Sequence, residues 1–139
     1  MIIEYTYLDE NNKLKSNIIK NEIDNYYDNI IKSYLPLELQ SSYTNDDNDI
    51  FWKFHSINEN PALIIKDNNN NNKIIKIEYF KDGFNHRDDG PAIEYQDKDN
   101  LHFYLNGHFM FERFFAEETK HLICGLCEQF CKQLCFLGD

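Results

Sequence analysis

The first 123 residues contain no cysteine, and the 139-residue chain holds only five glycines, three prolines, two methionines and one tryptophan. So little glycine and proline excludes a collagen-like protein or a low-complexity linker. No stretch approaches 18 consecutive apolar residues, so no membrane-spanning helix is expected. Met1-Ile2-Ile3-Glu4-Tyr5 lacks a basic region, an apolar run and a small-residue cleavage site, and position 2 is not glycine. Neither a secretory leader nor an acyl anchor is therefore expected, and an intracellular setting with reduced thiols follows. Basic residues are scarce as well, 14 against 24 acidic, for a net charge of −10 and a pI near 4.8. A surface of that sign repels phosphate backbones, so no nucleic-acid partner is expected.

What is abundant is apolar and amide side chain. Hydrophobic residues make up 42% and aromatics 15%, enough for the core of one domain at this length. The mean hydropathy of −0.65 comes from 18 asparagines, not from a shortage of core residues. This Asn-, Ile-, Lys- and Asp-rich usage reads as the product of an AT-rich genome.

Three regions are expected within a single domain: 1–49, 50–109 and 110–139. The β-branched and aromatic run Ile2–Leu8 predicts a strand, and Asp9-Glu10-Asn11-Asn12 a turn. Lys13–Lys15 begins a return strand. Ile19, Ile23, Tyr26, Tyr27, Ile30, Ile31 and Tyr34 recur at helical spacing and predict an N-terminal helix that Pro36 stops. Leu35–Leu39 reads as a short connection and residues 41–49 as a polar, acidic loop. Strands are expected over 50–54, 62–66, 73–80, 92–95 and 101–105. Asn68–Asn72 forms one hairpin tip, and Asn106-Gly107 is the strongest hairpin dipeptide in the chain. From Met110 the apolar residues return to helical spacing, predicting a long helix over 110–136, or two helices broken near Gly125.

The middle of the chain repeats. Pro61-Ala62-Leu63 returns as Pro91-Ala92-Ile93, each preceded by a histidine, His55 or His86. Each is followed by a hairpin ending in an aromatic-turn-Gly element, Tyr79–Gly83 or Tyr104–Gly107. Ile-Glu-Tyr occurs at 3–5, 77–79 and 93–95. The string His86-Arg87-Asp88-Asp89-Gly90-Pro91-Ala92 resembles the HRxDGPA repeats of proteins from large DNA viruses and phages, which are similar to MORN-type β-hairpin repeats. The resemblance spans about residues 50–109, with a degenerate first copy. It implies stacked antiparallel hairpins, a viral origin, a place in the host cytoplasm or virion, and a binding or assembly surface. It carries over no enzymatic activity. In physical terms Asp89-Gly90-Pro91 predicts a tight turn in which Gly90 supplies positive φ, with Arg87 paired to Asp88 or Asp89.

Cys124, Cys127, Cys131 and Cys135 crowd the last 16 residues. On one helix the outer pair would lie about 16 Å apart along the axis, too far for one zinc ion with Zn–S distances near 2.3 Å. A one-chain zinc site needs a break at Gly125, and a two-chain site needs a pair from each copy. Otherwise the cysteines are a packing seam, or a thiol-redox or acylation site. Leu122, Leu126, Phe130 and Leu134 give the same helix an apolar side suited to a protein partner or a second copy.

Other chemistry is thin. His102 and His108 flank the Asn106-Gly107 turn, as a possible two-histidine metal pair or, more simply, as cross-strand surface residues. The Asp/Asn alternation in 45–49 lacks the Gly and Glu of an EF-hand. His86-Arg87-Asp88 spells a kinase triplet, but the required downstream Asn is Ile93. Trp52, with Phe51 and Phe54, reads as core. No P-loop, nucleophile elbow, zincin or dinucleotide motif occurs.

The expected fold is α+β: an antiparallel hairpin-repeat sheet packed with an N-terminal helix and a long C-terminal helix. The expected function is a non-enzymatic interaction or assembly module with no resident cofactor. A small zinc- or thiol-dependent regulator and an acidic inhibitor of a basic host protein are the alternatives.

Overall fold

A computed structural model describes residues 1–44, 52–96 and 100–114. Their order is β1 (Ile2–Leu8), β2 (Leu14–Lys20), α1 (Asp28–Tyr34), α2 (Leu37–Tyr43), β3 (Lys53–Phe54), β4 (Leu63–Asp67), β5 (Lys73–Glu78), β6 (Phe80–Lys81), β7 (Phe84–Asn85), β8 (Ile93–Tyr95), β9 (Asn100–Leu105) and β10 (His108–Phe114). The class is α+β. An eight-stranded antiparallel sheet runs β10-β9-β8-β5-β4-β1-β2, with β3 also paired to β1, and β6-β7 form a separate two-stranded piece.

Alternation in β1 drives the packing. Ile3, Tyr5 and Tyr7 point inward and are buried, as a period-2 strand requires. Ile31, Leu35, Leu39 and Tyr43 bring the two helices down on them, together with Leu63 and Ile65 of β4 and Phe54. Phe54 meets Phe80 at 4.9 Å. Trp52 stacks on Tyr7 at 5.0 Å and its indole donates to Glu10 Oε2 at 2.6 Å, so it rims this core. Among the described residues this cluster includes none of β8, β9 or β10, although Ile93, Leu101 and Phe103 of β8 and β9 are buried as well.

Two hairpin turns dock in the same way. Asp82-Gly83 and Asn106-Gly107 both have positive φ at each residue, the type I′ requirement. Gly83 N–H donates to Phe54 O, and Gly107 N–H to Asn85 O. Asp82 N–H donates to His55 Nδ1 at 3.1 Å, and Asn106 N–H to His86 Nδ1 at 2.8 Å. Ser56 N–H reaches Phe80 O, and Arg87 N–H reaches Tyr104 O. Ala62 and Ala92 are both buried, and each bonds to two neighbouring strands through its N–H and its carbonyl. The repeated histidines and Pro-Ala pairs thus perform repeated jobs.

The N-terminal helix is shorter than its stripe predicts. Residues 14–20 are strand, paired along their whole length with β1, and helix begins at Asp28. Asn21 Oδ1 accepts Ile23 N–H and Asn25 Oδ1 accepts Tyr27 N–H. Such side-chain turns give the backbone an alternative to helical bonding. Pro36 ends α1 by forcing Leu35 into an extended conformation, then stands as the N-cap of α2. Ser41, Ser42 and Tyr43, expected in a loop, are its last turn. At the other end, helix cannot begin at Met110, because β10 extends to Phe114. The rest of the expected C-terminal helix, with Leu122, Leu126, Phe130, Leu134 and all four cysteines, lies outside the described residues, as does the acidic run 45–49. No helix among the described residues is long and apolar enough to cross a membrane.

Candidate functional site

Register assembles the site. One row of cross-strand partners runs Tyr5, Leu63, Glu78, Ile93, His102, and the next runs Ile3, Ile65, Lys76, Tyr95. Both rows lie on the inward face. A bulge between Ile65 and Lys66 shifts the pairing of β5 by one residue, and a one-residue shift exchanges the two faces of a strand. Lys76 and Glu78 therefore point inward, 5% and 2% exposed, while Ile74 lies 43% exposed.

Around this pair opens a cavity of about 350 Å³. Lys76 and Glu78 lie at its base, Tyr43, Tyr95 and Tyr104 form walls, and Asp28 stands at the rim. Lys76 Nζ donates to Asp28 Oδ1 at 3.0 Å and to Tyr43 OH at 3.2 Å. It lies 3.2 Å from Glu78 Oε2, and it sits over the Tyr43 and Tyr95 rings at 5.1 and 5.4 Å. Asn85 Nδ2 donates to Glu78 Oε1 at 3.3 Å. Glu78 Oε2 is buried against the Lys76 ammonium, its partner there.

The charges are coupled. Burial opposes the Lys76 ammonium, but the Glu78 and Asp28 carboxylates overcome that and hold it well above the ordinary lysine value. Burial pushes Glu78 up against the pull of Lys76. Asp28 loses some hydration, yet Lys76 holds its carboxyl below the usual range. Burial also raises Tyr43 and Tyr95. One cation stands against two carboxylates in a partly dehydrated, aromatic-walled space. Tyr43 OH also donates to Asp28 Oδ1 at 2.8 Å, so Lys76, Asp28 and Tyr43 form a closed triangle of polar contacts beside Glu78.

Next to the cavity the same face carries further rings. Tyr95 meets His102 edge-on at 5.2 Å, and Phe109 meets Tyr104 at 5.5 Å and His102 at 6.1 Å. Phe109 is 52% exposed. A wider groove of about 550 Å³ lies on the opposite face, between Glu4, Thr6, Ser16, Ile18 and Ile64. It lacks a comparable charge cluster.

The residues marked in the sequence fall elsewhere. His86 Nε2 contacts Asp88 at 3.1 Å. Arg87 donates to Asp89 Oδ1 at 3.3 Å and to Pro91 O at 3.2 Å, and stacks on Tyr79 at 4.1 Å. Gly90 is buried, but its φ is not positive, unlike those of Gly83 and Gly107. A residue before proline is pushed toward extended backbone, so Gly90 does not play the conformational part expected of it. His102 and His108 are not a pair: the register sets His102 opposite Glu112 and His108 opposite Leu105. Among the described residues no group of three or more His, Cys, Asp or Glu side chains is placed to hold a metal.

Sequence reading passed over Lys76, Glu78, Asp28 and Tyr43. The available signal was two charges alternating with isoleucines in a central strand, where either face is buried. No family model matches the chain, and neither a curated protein nor a solved structure does.

Proposed function

We propose that this chain is a non-enzymatic protein-interaction module of the HRxDGPA hairpin-repeat kind, viral in origin, that binds a partner through the β8–β10 half of its inner sheet face. One observation carries the reading. Among the described residues the two helices pack on β1, β3 and β4, whereas the β8–β10 half of the same face carries Tyr95 and the half-exposed Phe109 beside a charged cavity. Aromatic side chains beside a desolvated polar pocket are what interface centres are made of. The matched docking of the two Gly turns supports the hairpins as a rigid scaffold.

Phe109→Asp tests the reading, with Ile18→Asp on the opposite face as control. In affinity capture from the native host cell, Phe109→Asp loses the captured partner and Ile18→Asp keeps it. Retention of the same partners by both variants would end the proposal. The spacing of Leu122, Leu126, Phe130 and Leu134 favours a second contact through the C-terminal segment, in a hetero-complex or a homo-oligomer. Light scattering checks the latter, since Leu126→Asp or Phe130→Asp lowers the assembled mass.

A further inference from the structure

We infer that Asn106 is a site of spontaneous deamidation, and that the docking of its own turn sets how fast it reacts. Asn106-Gly107 is the one Asn-Gly pair in the sequence. A glycine after asparagine leaves the attacking backbone nitrogen without a side chain to shield it, and Asn106 is exposed to water. The reaction needs nothing beyond that amide, that nitrogen and solvent.

In the first step the Gly107 nitrogen attacks Asn106 Cγ. The N–Cγ bond forms, the nitrogen gives up its proton, and the Cγ–Nδ2 bond breaks as ammonia leaves with a proton. Water then opens the succinimide. Breaking the bond from the nitrogen to Cγ yields aspartate, and breaking the bond from the nitrogen to the Asn106 main-chain carbonyl carbon yields isoaspartate. One water enters and one ammonia departs. The folded turn opposes the first step in three ways. Gly107 N–H donates to Asn85 O at 2.8 Å, which holds the proton that must leave. Asn106 N–H donates to His86 Nδ1 at 2.8 Å, and both turn residues have positive φ. A type I′ turn sets ψ of its first residue at about +30°, which points Cβ away from the following nitrogen, so the ring closes only after that bond rotates. Phe84 restricts the rotation: a Cβ built on Gly107 would lie 3.0 Å from Phe84 Cβ, so the turn rests on this side chain. Undocking therefore precedes chemistry.

The first repeat shows how the products fit. Asp82 takes the place of Asn106 there, in a turn of the same conformation docked in the same way. Its carboxylate lies 3.6 Å from His55 Nδ1. An aspartate at position 106 is accommodated beside His86 by the same arrangement. Isoaspartate is not, because its main chain runs through Cβ and Cγ and adds one atom to a two-residue turn that fixes the register of β9 and β10. One product keeps the hairpin and the other opens it.

The test ages the full chain at mildly alkaline pH and follows Asn106 by peptide mass spectrometry, with electron-transfer fragmentation to tell aspartate from isoaspartate. The same chain unfolded in urea gives the rate of the open turn, and there Asn106 should be the first of the 18 asparagines to change. Native Asn106 should react at least about tenfold more slowly than in urea, since two docking bonds must break first. His86→Ala removes one of those bonds and should speed the native reaction about fivefold. His86→Gln, which offers an acceptor in the same place, should react more slowly than His86→Ala. Ser42→Ala, which loosens the first docked turn, should leave Asn106 at the wild-type rate. A native rate equal to the rate in urea would overturn the inference, as would another asparagine changing first in urea. So would equal native rates for the wild type and His86→Ala, or equal acceleration by Ser42→Ala and His86→Ala, which would tie the reaction to global unfolding and not to this turn.

Discussion

At the scale of single residues, an ion pair set inside the sheet has an unequal cost of removal. A buried charge that loses its counter-charge is far worse than a buried pair replaced by apolar groups. Lys76→Met leaves Glu78 dehydrated and unpaired, and should lower the unfolding free energy by about 3–5 kcal/mol. The double variant Lys76→Met/Glu78→Leu should recover most of it, as urea denaturation of the three proteins will measure. Asp28 sets a pH dependence. Its folded pKa lies below the unfolded one, so the native state binds fewer protons in the acid range. Its stabilisation is therefore present above the unfolded value near pH ~4 and is lost as pH falls through the folded value. Melting curves should show the wild type above Asp28→Asn at neutral pH, with the gap closing on acidification. Little of this was legible beforehand. Asparagine was better announced: Asn12, Asn58, Asn71, Asn72 and Asn106 all take positive φ, which asparagine tolerates better than most residues. The asparagines at the hairpin tips thus supply turn conformations.

At the scale of elements, strands were easier to read than helices. Ile2–Leu8, Leu63–Asp67, Lys73–Glu78 and Asn100–Leu105 stand close to where β-branched runs and turn dipeptides put them. The helical stripe failed because its first residue, Ile19, belongs to β2, and because Asn21 and Asn25 form side-chain turns before Asp28. The face of β5 was not legible at all, since it depends on a bulge that only its pairing with β4 creates. Contacts between elements are equally hidden. Ser42, at the end of α2, is fully buried; its hydroxyl donates to Gly83 O at 2.9 Å and accepts Phe54 N–H at 3.1 Å. One side chain thereby fastens α2 to β3 and to the first docked turn. Ser42→Ala leaves that carbonyl and that N–H without these bonds and should destabilise the protein by about 1–3 kcal/mol. His86→Ala removes one acceptor from the second docked turn, in a more exposed place, and should cost about 1 kcal/mol. Hydrogen exchange should register each loss at a different turn, Asp82-Gly83 for Ser42→Ala and Asn106-Gly107 for His86→Ala.

At the scale of the whole molecule, charge and shape act together. An acidic surface attracts a basic partner loosely and from a distance, whereas the ring contacts proposed around Phe109 act only when the partner is seated. Ionic strength separates these contributions, because salt screens exposed charges strongly and enclosed ones much less. Raising sodium chloride from about 50 mM to about 500 mM shortens the screening length from more than ~10 Å to under ~5 Å. Association of the captured partner should then slow markedly, since long-range steering governs the on-rate. The dissociation rate should change little, because the aromatic contacts around Phe109 act at contact distance. Surface plasmon resonance over that salt series resolves the two rates. A dissociation rate that rises as steeply as the association rate falls would mean that exposed charge, and not the aromatic face, holds the partner.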